Sequence, residues 1–336
     1  MDNVDKVNKI EKGKIIIKLG QHALTGTVLL GISIPAFAAP QNSIDGVFEA
    51  AATSYEDSND IKFEDESVSY THINKNTRAK VSAHHYYIVD GSERDKYDGN
   101  EITAGLTQKY NHIETEVSVG AVYLDNHRTD KRKNHVKYKA RVSAKPTGNA
   151  TVSLEHSDDF LFKEAIITDD ENQLLSGKTT KLSASWRVSR RVIAEGSVQR
   201  RKLSDGNASR HKRAALLYGI SPDVPWVWAG AEVQSLSYDE KKNNYWSPTD
   251  YKSYALIANG NFPVSKKLSV NVSGSVNRTK EAGQTWASGY TAGVGADFSL
   301  NQNSHVKADA MYLKSTRDGV DWDGKRVGVS FAYSHY

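Results

Sequence analysis

Residues 135–144 read HVKYKARVSA, with Val136, Tyr138, Ala140, Val142 and Ala144 alternating with His135, Lys137, Lys139, Arg141 and Ser143. A two-residue period marks a β-strand. One face of this strand is small and apolar, and the other is almost a stripe of positive charge. From about residue 78 the same alternation recurs in segments of 10–13 residues near 78–89, 101–110, 113–124, 135–145, 150–162, 178–188, 191–202, 210–220, 225–238, 251–262, 267–278, 287–299, 304–315 and 325–336. Fourteen strands are therefore expected. Residues 44–55 and 61–73 alternate more weakly, and IKFEDESVSY slips phase; this further hairpin would bring the total to sixteen. No amphipathic helix is read between the strands.

The connections alternate in length. NH (111–112), PTGN (146–149), SRR (189–191) and NQNS (301–304) are short, whereas DNHRTDKRKN (125–134), DEKKNNYWSPTD (239–250) and TRDGVDWDG (316–324) are long. Tight turns at one end and longer loops at the other are the mark of an outer-membrane up-and-down barrel. The strand lengths also suit a tilted crossing of about 9–11 residues. The expected fold is an all-β, transmembrane, antiparallel barrel with a water-filled lumen.

Composition agrees with such a fold. Only 38% of the 336 residues are apolar, against the usual 45–50%. A pore has no packed core, so its apolar residues face lipid and its polar residues face water. Outward sets read this way are Ile102, Ala104, Leu106; Val117, Val119, Ala121, Tyr123; Leu182, Ala184, Trp186, Val188; Leu268, Val270, Val272, Val276; and Tyr290 to Leu300. Val327, Val329, Phe331 and Tyr333 share one face of the last strand, and Tyr336 falls on the other. No Cys is present, which excludes a disulfide scaffold. The net charge of +4 has no long run of one sign, so nucleic acid is not an expected partner.

The N-terminus reads as an export signal. Lys6, Lys9, Lys12, Lys14 and Lys18 precede an apolar stretch over 23–37 that Pro35 interrupts, followed by Ala36-Phe37-Ala38. Residues 1–38 are the expected signal peptide, cleaved after Ala38. Residues 39–55 are read as a mobile segment that plugs the pore, and 56–336 as the barrel.

The face opposite the apolar one supplies the expected pore lining: Arg78, Lys80, Tyr86, Lys109, Glu114, Glu116, Lys137, Lys139, Arg141, Lys181, Arg187, Glu195, Arg201, Arg213, Glu232, Asp297, Lys307 and Asp309. Opposed rows of charge would be costly in a dry core, so the lumen is expected to be wet. Tyr86, Trp226 and Trp228 are the candidate platforms for sugar rings. No long loop is read as folding inward. No catalytic set, metal site or cofactor site is expected. His84 and His85 point to opposite faces, EHSDD (155–159) alternates faces, and TDDEN (168–172) and DWDGKR (321–326) are read as solvated loops.

The layout resembles the wide, single-chain outer-membrane sugar porins, and among them the enterobacterial cyclodextrin porins. The resemblance rests on the Ser/Asp-rich start APQNSIDGVFEAAATSYEDSND and the regular strands that follow it. It implies a monomer that passes bulky oligosaccharides, cyclodextrins first, with the N-terminal segment displaced by substrate. The excess of basic lumen candidates points instead to acidic oligosaccharides such as oligogalacturonate. A barrel enzyme or adhesin is the reading from another class.

Overall fold

A computed structural model describes residues 45–90, 95–127, 131–161, 174–223 and 226–335. They form β1 (Gly46–Asp57), β2 (Lys62–Asn74), β3 (Thr77–Asp90), β4 (Asp95–Tyr110), β5 (Ile113–Asn126), β6 (Lys131–Thr147), β7 (Ala150–Phe160), β8 (Ser176–Ser189), β9 (Val192–Leu203), β10 (Ala208–Ser221), β11 (Trp226–Tyr238), β12 (Tyr251–Pro263), β13 (Leu268–Glu281), β14 (Ala287–Ser299), β15 (Ser304–Arg317) and β16 (Val320–His335). Every strand pairs with its neighbours in sequence, and β1 pairs with β16, so the antiparallel sheet closes. Closure leaves no unpaired edge, which is the condition for a sheet in hydrocarbon.

Sixteen strands replace the fourteen expected. The added pair is β1 and β2. Gly46 to Glu56 lies opposite His72 to Lys62, and Gly46 to Asp57 lies opposite His335 to Gly324. The expected pore plug is thereby corrected for residues 46–55: they are wall. Without β1, the edges of β2 and β16 would each expose a row of unpaired backbone groups. The slipped phase of β2 also has a cause. Glu64 and Glu66 occupy outward positions above the apolar Val68 and Tyr70, so charge and apolar residues share one face. Residues 1–38, read as the signal peptide, and residues 39–44 lie outside the described residues.

Turns at one end are tight. β2 and β3 meet through Lys75 (φ 47°) and Asn76, and β4 and β5 through Asn111 (φ 51°) and His112. The other end carries the longer connections, over 161–175 and 239–250. This places the tight turns in the periplasm and the long loops outside. TRDGVDWDG departs from expectation. Asp318 (φ 52°) and Gly319 (φ 77°) make a two-residue hairpin turn, and Arg317 lies directly opposite Val320. Two positive-φ residues in succession suit the strand twist, so β15 and β16 run on through what reads as loop.

The outward face is as the alternation implies. Ile102, Val117, Val119, Leu182, Val272, Val276 and Val294 are exposed, although each is apolar. Exposed aromatic residues border this band. Phe48, Tyr70, Tyr110, Trp186, Tyr218, Phe262, Phe298 and Tyr333 sit towards the tight-turn end, and Tyr123, Tyr254, Trp286 and Tyr290 towards the long-loop end. Such girdles mark the two water–lipid interfaces.

Deleting residues 46–57 is expected to abolish the folded barrel. Unboiled samples should lose the gel-mobility shift that folded outer-membrane barrels show. A shifted band with larger conductance would restore the plug reading.

Candidate functional site

The inward face carries the side chains the alternation assigns to it. Parity places Arg78, Lys80 and Tyr86 on β3, Lys109 on β4, Glu114 and Glu116 on β5, and Lys137, Lys139 and Arg141 on β6, opposite in direction to the exposed apolar set. The same holds for Lys181 and Arg187 on β8, Glu195 and Arg201 on β9, Arg213 on β10, Glu232 on β11, Asp297 on β14, and Lys307 and Asp309 on β15.

Many of these charges meet across strands. Lys139 reaches Glu116 at 2.6 Å and Lys109 reaches Glu114 at 3.3 Å. Arg213 bridges Glu195 on one neighbouring strand (3.1 Å) and Glu232 on the other (2.7 Å), and Gln234 also donates to Glu232. Lys307 lies 3.6 Å from Asp297. Arg141 donates to Ser153 Oγ at 3.4 Å, and Arg201 Nε to Thr179 Oγ1 at 3.0 Å. Other partners were missed by sequence reasoning. Lys137 pairs at 2.6 Å with buried Glu101, which also accepts from the Tyr86 hydroxyl at 2.9 Å. Asp309 pairs with Arg326 at 2.7 Å. Glu101 stands at the start of its segment, and Arg326 follows a run read as loop, so neither had a clear phase in the sequence.

Pairing leaves a remainder. Among the described residues, Arg78, Lys80, Lys181 and Arg187 make no ion pair. Arg78, Lys80 and Arg187 lie near the periplasmic turns, and Lys181 lies higher on the same wall as Arg187. The inward acids Glu49 and Glu155 are also without an ion pair, and Glu155 stands opposite both Arg141 and Lys181. The wall between is short and polar: Ser143, Ser153, Ser183 and Ser197 lie in one ladder row.

The external mouth differs from expectation. A wet, polar lining was expected throughout, but two apolar clusters pack there. One joins Tyr86, Ile88, Tyr97, Val122, Leu124, Phe160 and Leu174. The other joins Leu161, Leu175, Leu203, Leu236, Tyr238, Tyr245, Trp246 and Tyr251. The loop over 239–250 supplies Tyr245 and Trp246, so a long loop does fold inward. Tyr245 donates to Asp205 at 2.9 Å and accepts from Asn207 at 2.8 Å; Trp246 Nε1 donates to Glu281 at 3.3 Å and sits edge-on to Tyr251 at 5.1 Å. Burial raises the Tyr245 phenol well above its usual range. The physical reason is length: the strands run past the bilayer, and loops lying on them need a small core of their own.

Two of the proposed sugar platforms are packed away, Tyr86 in the mouth cluster and Trp228 in a third cluster near the tight-turn end. Tyr86 is 0% exposed, and Trp228 is 8% exposed against Leu217 and Ile257. Neither presents a ring face to water. Trp226 leans on the second of these sites and stays half-buried. EHSDD brings no triad together: His156 is exposed on the outer face and bonds Tyr138 and Thr180, while Ser157 lies on the inward face.

A closed sheet with an apolar exterior, aromatic girdles and a charged interior defines an outer-membrane β-barrel channel. No protein-family model and no curated protein matches the sequence. Solved structures are similar in fold. A bacterial polysaccharide outer membrane secretin superposes with TM-score 0.71 at 12% identity, over 88% of this chain and 100% of that one. CdiB from Acinetobacter baumannii gives 0.54 at 10%, over 88% and 61% of the two chains. The CymD monoaromatic hydrocarbon channel gives 0.50 at 7%, over 88% and 90%. Identities this low speak for the shared fold alone.

Replacing Arg213 by Met strips Glu232 of its cationic partner, leaving only Gln234, in a site where that residue is 6% exposed. The expected loss is about 3 kcal/mol of stability, read by urea unfolding in micelles, with part recovered on adding Glu232→Gln. Replacing Tyr245 and Trp246 together by Ala removes the loop's anchors. Single-channel conductance is expected to rise.

Proposed function

We propose that this barrel passes oligosaccharides across the outer membrane, and that it favours anionic ones. The observation that carries the preference is a group of inward cations that make no ion pair: Arg78, Lys80, Lys181 and Arg187, with Arg141 held only by a serine. A charged ring or arc biases a pore towards ions of opposite sign. Ser-lined wall beside these cations adds hydroxyl groups suited to sugar hydroxyls. The width expected of sixteen strands supports the reading, since barrels of 16–18 strands leave an aqueous channel. The similar polysaccharide secretin lends support at the level of fold.

Neutral rings such as cyclodextrins are the second reading. Trp226 favours it, as the one proposed platform that is not fully packed away. The burial of Tyr86 and Trp228 weakens it. A displaceable plug would have to come from residues before 46, since β1 is wall. The molecule is read as acting singly, because its outward apolar band serves lipid on every side. Transport is the role here, with no chemistry on the substrate.

Reconstitution in a planar bilayer tests the proposal. Oligogalacturonate is expected to block the current and a salt gradient to reveal anion selectivity. The variant carrying Arg78→Gln, Lys80→Gln, Lys181→Gln and Arg187→Gln should weaken the block roughly tenfold or more. Block by cyclodextrin but not by oligogalacturonate would move the assignment to neutral sugars. A barrel that folds yet carries no current would overturn both.

A further inference from the structure

The outer wall is not electrically uniform. At the external rim of β8 to β13 every charged outward residue on the strands is basic: Lys178, Arg200, Lys202, Arg210, Lys212, Lys252, Arg278 and Lys280, all exposed. The rim of β1 and β2 instead carries Glu56, Glu64 and Glu66 beside Lys62. The basic residues are also stacked against one another. Lys178 stands directly opposite Lys202, Arg200 opposite Arg210, and Lys252 opposite Lys280. Like charges facing each other across a ladder are destabilising. Among the described residues two acids form ion pairs with this rim, both at its upper limit: Asp239 lies 3.6 Å from Arg210 and Asp250 lies 3.3 Å from Lys252; Asp158 on β7 stands opposite Lys178 but is bonded to His135. Among the described residues, Lys178, Arg200, Lys202 and Lys212 have no ion pair.

Two further features sit at the same place. Trp286 and Tyr254 pack with ring centroids 6.0 Å apart, with Arg278 5.7 Å and Lys280 5.6 Å from the Trp286 ring. Exposed aromatic residues at this height mark the level of lipid headgroups. Just below the cations, an outward groove of about 620 Å³ runs across the wall. Ala184, Gly196 and Ala214 form its floor, Leu182, Val198 and Val233 line it, and Lys212 and Lys252 close its upper end. The floor residues are opposed in one ladder row, so three small side chains in register make the hollow.

We propose that this wall binds a phosphorylated, multiply acylated lipid of the outer leaflet. The phosphates lie among Arg200, Arg210, Lys212 and Lys252, and an acyl chain fills the groove. Phosphate relieves the repulsion of the facing cations, since Arg and Lys bind phosphate by charge-assisted hydrogen bonds. Apolar burial in the groove selects a lipid over a free anion.

Native mass spectrometry of the intact barrel released from detergent tests this. The probes are bisphosphorylated lipid A, the same lipid with both phosphates removed, and inorganic phosphate. One bisphosphorylated lipid is expected to stay bound, with the dephosphorylated form and the variant carrying Arg200→Gln, Arg210→Gln, Lys212→Gln and Lys252→Gln each roughly tenfold weaker or more. Ala214→Phe fills the groove, keeps every cation, and is also expected to weaken binding. Glu64→Gln with Glu66→Gln, on the acidic flank, should leave it unchanged. Equal retention of both lipids, or of lipid by the two binding-site variants, would overturn the proposal. Displacement of the lipid by millimolar inorganic phosphate would reassign the site to a free anion.

Discussion

A polypeptide in hydrocarbon must satisfy every backbone N–H and C=O from within. Sixteen strands do so here only because β1 and β16 close the ring. One missing strand would leave two open edges, so the wall exists as a unit. That is why the segment after residue 45 cannot be a loose appendage, whatever its composition suggests.

Closure fixes two faces, and the faces obey opposite chemical rules. Outside, Val, Leu, Ala and Gly meet lipid chains and need no packing partner within the chain. Inside, charges can be numerous because water and cross-strand partners share the cost of holding them. The Arg213 cluster shows the second rule. Its two acids come from the strands on either side, so one guanidinium ties three strands together. Arg78, Lys80, Lys181 and Arg187 make no ion pair, and on them the proposed preference for anions rests.

Beyond the bilayer the rules change again. The external ends of the strands turn apolar inward and charged outward, the reverse of the pattern in the membrane. Tyr86, Ile88, Val122 and Leu124 then pack with Phe160 of β7 and with Leu174 from the connection that follows it. Outward charges of both signs pair elsewhere on the wall, as in Lys314 with Asp321 and Arg132 with Asp125, but β8 to β13 present a basic flank to the headgroups.

The sequence by itself determined the barrel, its orientation and, for the fourteen strands with clean alternation, the side of the wall on which most residues stand. These follow from a period of two and from alternating connection lengths, both local properties. HVKYKARVSA was legible in this way: its basic stripe is inward, with Lys137 and Lys139 paired and Arg141 bonded to a serine. Only the tertiary structure decided what depends on chain segments far apart. The ring closes through Gly46 and His335, at opposite ends of the described chain. Trp246, in the loop over 239–250, reaches Glu281 at the end of β13. Tyr86 lies buried in one cluster with Phe160 and Leu174, so an inward position became a packed one. The groove on the outer wall needs Ala184, Gly196 and Ala214 side by side on three strands. Alternation tells which face a residue occupies, but burial depends on what other segments lay across it.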